Sequence, residues 1–191
     1  VALTYGIPNS IQDLLNNEQT VDENIAFDTA VFYSISNCQS GLAGISFGNF
    51  LIKQVVEDLT SEFGNLKTFV TLSPIPLFQS WLKNEGAKIT MKENNNLSKL
   101  VAFYILNGKR DDGLPFDPVA RFHLGNGAQV HAVHENADIS EKGINQSQGM
   151  MVNYLYDPSM IGINHEKFVS ENIIPASNEI ISLSKSVVKV E

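Results

Sequence analysis

The feature that most constrains this sequence is a run of unlike segments between residues 30 and 76. Ala30 to Ser36 (AVFYSIS) is β-branched, aromatic and apolar, the composition of a buried strand. Gly41, Gly44 and Gly48 punctuate the loop that follows, after which Phe50, Leu51, Val55 and Leu59 recur at helical spacing. Lys67 to Ser73 (KTFVTLS) reads as the next strand. Pro74 and Pro76 stop it abruptly, because proline has no N–H to give to a ladder. A strand, a glycine-bearing loop, an amphipathic helix and another strand require helices layered on a sheet, the pattern of an α/β or mixed α+β domain.

The rest of the chain continues the alternation. A short helix runs through Trp81 and Leu82, polar Lys92 to Asn96 reads as a loop, and a helix covers Leu97 to Leu106. Asp117-Pro118 is a helix start, an acidic N-cap followed by proline at the first helical position. Val130 to Val133 and Met150 to Tyr156 have strand composition, and Ile174 to Val187 reads as a closing helix. At 191 residues the chain suggests one domain. Its 13 basic and 21 acidic side chains, a formal charge of −8, argue against a nucleic-acid partner, whose phosphates need clustered Lys and Arg. No apolar run approaches the roughly 18 residues of a membrane helix, and residues 1–20 lack the pattern of a signal peptide, so the expectation is a soluble cytoplasmic protein with no membrane partner. The single Cys38 excludes an internal disulfide framework and a cysteine-based zinc site.

Several segments invite chemistry. Gly44-Ile45-Ser46-Phe47-Gly48 matches the G-x-S-x-G of a hydrolase nucleophile elbow. An elbow places its serine directly between strand and helix, however, whereas about nine residues separate Ser36 from Ser46. Free backbone N–H groups at the following helix start suit a pyrophosphate such as that of coenzyme A, and an ordinary glycine-bearing loop fits the segment equally well. His131 and His134, with Glu135, resemble a metal set, but strand positions three apart face opposite sides, so polar alternation is expected and no metal site. His165 lies in a polar segment and reads as a surface side chain. His123 ends the helix that begins at Pro118 and precedes the turn-forming Leu124-Gly125-Asn126-Gly127, so it can be pinned and still reach a cleft, or can simply cap the helix. Ser73 ends a buried strand against two prolines, a rigid setting for a hydroxyl or only a serine at a strand end.

Six segments, in order and at similar spacing over nearly the whole chain, resemble the malonyl-CoA decarboxylase family. They are Val1-Ala2-Leu3-Thr4 with Ile11-Gln12, Phe32 to Ser36, Ser46 to Lys53, Thr71-Leu72-Ser73-Pro74-Ile75-Pro76, Asp117 to Leu124 with Asn126-Gly127-Ala128, and Met151 to Tyr156. The resemblance implies a Gcn5-related N-acetyltransferase-like fold, α+β, with a mixed, mostly antiparallel sheet flanked by helices and splayed to admit coenzyme A. It implies conversion of malonyl-CoA to acetyl-CoA and carbon dioxide, with coenzyme A as part of the substrate and no separate cofactor. The family's catalytic serine falls on Ser73 and its histidine on His123, and Ser34 and Tyr156 match positions in the same active site. Ser46, Phe47, Gly48 and Asn49 fall where coenzyme A is expected, although the acetyltransferase phosphate-loop pattern is met only partly, with Ala43 at its first position and Ser46 at its first glycine.

The resemblance further implies that residues 1–191 are a single partial catalytic domain without the first strands of the family's sheet and without its N-terminal helical domain, which assembles the full-length protein into a homo-oligomer. His123, with an ordinary pKa near 6.5, is expected to protonate C2 of the substrate while Ser73 contacts its carboxylate or thioester; the reverse division is open. Two other functions stay open: a decarboxylating acyltransferase of the same fold that passes acetyl to a carrier thiol, and an inactive coenzyme A-binding fragment.

Overall fold

The computed structural model describes residues 1–16, 27–35, 48–86, 89–91 and 96–189. Its main sheet is built from β1 (Ala2–Thr4), β2 (Thr29–Phe32), β3 (Thr68–Thr71), β4 (Ser73–Pro74), β6 (Gln129–His134) and β7 (Met151–Leu155). Two short strands, β5 (Ile89–Met91) and β8 (Val187–Lys189), form a separate antiparallel pair. The helices are α1 (Ile11–Asn16), α2 (Gly48–Glu62), α3 (Phe78–Glu85), α4 (Leu97–Asn107), α5 (Pro118–Gly125), α6 (Glu141–Ser147), α7 (Ile161–Glu171) and α8 (Asn178–Lys185). Among the described residues no helix is long and apolar enough to cross a membrane.

The sheet is mixed and mostly antiparallel. β2 and β3 are its parallel pair, in register from Thr29↔Thr68 to Phe32↔Thr71, with α2 lying between them in sequence. Leu72 N–H still donates to Phe32 O (3.1 Å), but beyond this bond Tyr33 to Ile35 leave the sheet while Ser73 and Pro74 stay on β7. The two parallel strands therefore part at Phe32 and Leu72. β3 and β4 share one antiparallel register on β7, Val70↔Leu155 and Ser73↔Val152, and β6 takes the other edge of β7.

Most of the core lies on one face. Ile52 and Val56 of α2, Phe78 and Trp81 of α3, the almost wholly buried Val101 to Ile105 of α4, Leu124 of α5, Phe168 of α7 and Ile180 of α8 pack there against Phe69, Val152 and Tyr154. The other face carries Val31, Val70, Leu72 and Met151 under Ile11 and Leu14 of α1. β2, β3 and β7 thus have apolar side chains on both faces, which is why Ala30 to Phe32 and Phe69 to Leu72 read as continuous apolar runs.

The structure differs from the sequence reading in places. The strand expected over Ala30–Ser36 ends at Phe32, and Ser36 lies outside the described residues. The closing helix begins at Asn178, capped by Ser177, because Pro175 and Ser177 bond Val130 beside β6, and it ends before β8. The polar stretch around His165 is helix α7; its buried Ile161, Asn164 and Phe168 recur at helical spacing among solvent-facing residues.

α5 is fixed at both ends. Asp117 accepts from Val119 N–H (2.9 Å) and Ala120 N–H (3.1 Å), the cap expected from Asp117-Pro118. At the exit Ala128 N–H donates to His123 O (3.1 Å), and Gly127 stands at φ +80°, where a Cβ would collide with the Ile161 carbonyl. Gly127→Ala should therefore lower stability by about 2 kcal/mol or more, a drop of roughly 4–8 °C in melting temperature. Thermal unfolding of the variant measures it, with Gly125→Ala, which meets no atom within 4 Å, as the mild control.

Candidate active site

Ser73 leaves the sheet pair at the point where β2 and β3 part, and α5 brings His123 behind it. Ser73 Oγ lies 3.1 Å from His123 Nε2 and donates to Thr71 Oγ1 (2.8 Å). On the far side of the ring, His123 Nδ1 is 2.8 Å from the Tyr156 hydroxyl. With Ser73 donating to Thr71, Nε2–H donates to Ser73 and Nδ1 accepts from Tyr156. Reversing every hydroxyl proton gives the other imidazole tautomer on the same heavy atoms. The imidazole also stacks on Tyr154, centroids 4.6 Å apart and planes within 24°. Phe32 meets Tyr156 edge to face at 6.4 Å.

These groups are removed from water. Ser73 is 4% exposed, His123 3% and Tyr156 1%. Burial pushes the His123 imidazole down to about 3, and it pushes the phenols of Tyr154 and Tyr156 up. His123 is therefore a neutral ring between two hydroxyls. This corrects the expectation of a histidine titrating near 6.5: an imidazole whose nitrogens face only a serine and a tyrosine has no carboxylate to stabilise its charged form.

The carboxylate that might have served, Asp117, is bound elsewhere. Burial raises its pKa, opposed by the N–H groups of Ala120 and Val119, and Tyr104 O–H donates to it at 3.3 Å. It fixes the start of the helix whose last turn presents His123.

The other expected site residues separate into groups. Tyr156 joins the Ser73–His123 contact directly. Ser34 is exposed, two residues past the last paired residue of β2 as Ser73 is past Thr71 of β3, so it sits on the opposite lip of the opening; no hydrogen bond among the described residues joins it to Ser73, His123 or Tyr156. Ser46 and Phe47 lie outside the described residues, while Gly48 and Asn49 begin α2.

His131 and His134 share no hydrogen-bond partner among the described residues. His131 sits at a bulge in β6, where burial lowers its pKa against the pull of Glu179 on α8, and His134 Nε2 bonds the Asn153 side chain. Among the described residues no cluster of three His, Cys, Asp or Glu side chains is placed to hold a metal. His165, read as a surface residue, is half-buried and bonds Gly125 O (2.7 Å) at the α5 exit. Thr71, Asn153 and Tyr154 were not singled out in the sequence as site residues. The available signal was polar Thr71 and Asn153 set within the apolar runs of two buried strands.

The family model of the malonyl-CoA decarboxylase C-terminal domain matches residues 1–95 and 87–190. The mitochondrial malonyl-CoA decarboxylase of Mus musculus is 34% identical over 230 aligned positions, covering 96% of this chain and 46% of its own length. The crystal structure of malonyl-CoA decarboxylase from Rhodopseudomonas palustris superposes with a TM-score of 0.84 at 43% identity, covering 95% of this chain and 48% of that one. The loading GNATL domain of CurA from Lyngbya majuscula, at 14% identity and a TM-score of 0.55 over 82% of this chain and 68% of its own, shares the fold alone. The α+β, acetyltransferase-like class expected from the sequence is therefore the one found.

The chain spans about half the length of the relatives it matches. The cytoplasmic expectation is overturned, since the mouse relative is named mitochondrial. Lack of a leader pattern in residues 1–20 says nothing of compartment in a chain that aligns to under half of that relative. A match along both halves of the chain, together with its fold, establishes that this chain belongs to the malonyl-CoA decarboxylase family, over the C-terminal domain.

Proposed function

We propose that residues 1–191 are a single partial catalytic domain of an enzyme that converts malonyl-CoA to acetyl-CoA and carbon dioxide. The observation that carries this reading is the buried Ser73–His123 contact of 3.1 Å, placed where the parallel strands part, in a chain of this family. In the reaction the bond from C2 to the carboxylate breaks, its electron pair enters the thioester carbonyl as an enolate, carbon dioxide leaves, and C2 then takes up one proton. The step is limited by charge developing on the thioester oxygen, so a donor fixed in a dry site lowers its barrier most.

Ser73 is the donor at the cleft: when Thr71 O–H and His123 Nε2–H both donate to its oxygen, on the same heavy atoms, its single proton is left for the substrate. His123 lies behind Ser73, so the proton that reaches C2 leaves the serine hydroxyl, which is refilled from His123 Nε2–H as the Tyr156 proton moves to Nδ1, and Tyr156 regains its proton from water. His123 holds Ser73 in hydrogen-bonding direction and exchanges protons with it, while Tyr156 fixes the second ring nitrogen. The first-turn N–H groups of α2, at Gly48 and Asn49, have no partner within the helix and suit the coenzyme A pyrophosphate, next in sequence to Ser46 and Phe47. Ser34, on the facing lip, is available to the substrate carboxylate.

Ser73→Ala and His123→Asn should each lower kcat about 10²-fold with KM for malonyl-CoA held within about threefold, measured by acetyl-CoA release in the full-length enzyme. Near-normal turnover in either variant removes that residue from the mechanism. Stability should also carry the signature of a neutral buried imidazole. The folded pKa is about 3 and the unfolded value near 6.5, so below pH 6.5 the unfolded chain gains a proton that the folded one refuses. The His123 contribution is therefore complete above pH 6.5 and falls by about 1.4 kcal/mol per pH unit as pH drops toward 3. His123→Asn should flatten this acid limb, and unfolding measured from pH 7.5 to 4.5 in both proteins reads the difference in slope.

A further inference from the structure

The ladder between β3 and β7 has one of its backbone hydrogen bonds replaced next to Ser73. Tyr156 N–H donates to Phe69 O (2.8 Å), and Ser73 pairs with Val152, so the register between them sets Thr71 opposite Tyr154. In a regular antiparallel ladder that pair exchanges two backbone hydrogen bonds. Here Tyr154 N–H goes instead to Thr71 Oγ1 (3.0 Å), and the Thr71 carbonyl accepts from Asn153 Nδ2 (2.6 Å). Two side chains stand in for the partners of that one bond, so half of the rung is rerouted without orphaning a buried polar group.

Thr71 and Asn153 are both 0% exposed, and neither touches the cleft. The substitution turns the Thr71 hydroxyl toward β7, where Tyr154 N–H anchors its oxygen and Ser73 Oγ meets it at 2.8 Å. Asn153 is held in turn by His134 Nε2, which donates to its Oδ1 from β6. A serine hydroxyl is a free rotor, and here its direction is set by two fixed partners, Thr71 Oγ1 and His123 Nε2.

We propose that Thr71 and Asn153 are positioning residues, the pair that reroutes one backbone hydrogen bond of the β3–β7 ladder and thereby fixes the Ser73 hydroxyl against His123. This rests on Ser73 being the group that acts on malonyl-CoA. Thr71→Val keeps the shape and removes the hydroxyl, and in the full-length enzyme it should lower kcat between about 10- and 100-fold with KM changed less than about threefold. Thr71→Ser restores the oxygen and should return kcat to within about threefold of the parent. Because Thr71 acts through Ser73, Thr71→Val placed on Ser73→Ala should cost under about twofold more.

Asn153→Ala is the independent arm, since it leaves the hydroxyl in place. It should lower kcat about tenfold at constant KM and shift the imidazole nitrogen resonances of His123. The proposal is overturned by a normal kcat in Thr71→Val, by a Thr71→Val loss that persists in full on Ser73→Ala, or by unchanged kcat and His123 resonances in Asn153→Ala. An unreduced kcat in Ser73→Ala itself sinks the assignment of Ser73, and this inference with it.

Discussion

β7 is the strand on which the site depends. It takes β3 and β4 along one edge and β6 along the other, so its register fixes the position of Ser73, the bulge at His131 and the rows of side chains on both faces. Tyr154 and Tyr156 alternate onto the same face, one under the His123 ring and one at its Nδ1. A shift of one residue would send both to the other face and replace them with Asn153 and Leu155. The imidazole would then lose its stacking partner and one of its two hydrogen bonds together.

The parallel pair supplies the opening. β2 and β3 run together for four residues and separate once Leu72 N–H has bonded Phe32 O. Past that point Tyr33 to Ile35 pair with no strand among the described residues, whereas Ser73 and Pro74 remain tied to β7. Pro74 is exposed and lacks an N–H, so it ends the ladder without leaving a donor unpaired. The serine thus belongs to a rigid strand on one side and to the opening on the other, which is the setting a fixed donor requires.

Much of this was legible in the sequence because it rests on local chemistry. Asp117-Pro118 announces a cap, Ser73-Pro74-Ile75-Pro76 announces a strand end, and alternation in Met151 to Tyr156 announces a strand with two tyrosines on one face. What was hidden depends on partners distant in sequence. The low pKa of His123 follows from what surrounds it, and nothing in Arg121-Phe122-His123-Leu124 says that its neighbours will be Ser73, Tyr154 and Tyr156. The half-burial of His165 depends on α7 crossing the exit of α5. The rerouted backbone bond at Thr71 requires Asn153, 82 residues away. Buried polar residues inside apolar strands were the remaining trace, since a polar group with no local partner must find a distant one.

Among the described residues, the groups that bond or stack on His123 are uncharged, which bears on how such a site handles an anion. Thr71, Ser73, Tyr154, Tyr156 and Asn153 present hydroxyl, aromatic and amide groups, and the nearby acid, Asp117, has its carboxylate taken up by the N-terminus of α5 and by Tyr104. A fixed cation there would hold the substrate carboxylate as firmly as the enolate, and binding both equally does not raise turnover. A neutral, oriented hydroxyl discriminates between them. It gains most when charge reaches the oxygen it already faces, and the cost of directing it is met during folding, by Thr71 and His123, rather than during the reaction. On the proposed reading, the site's selectivity for the transition state therefore comes from the direction of one hydroxyl, and that direction is set by strand register.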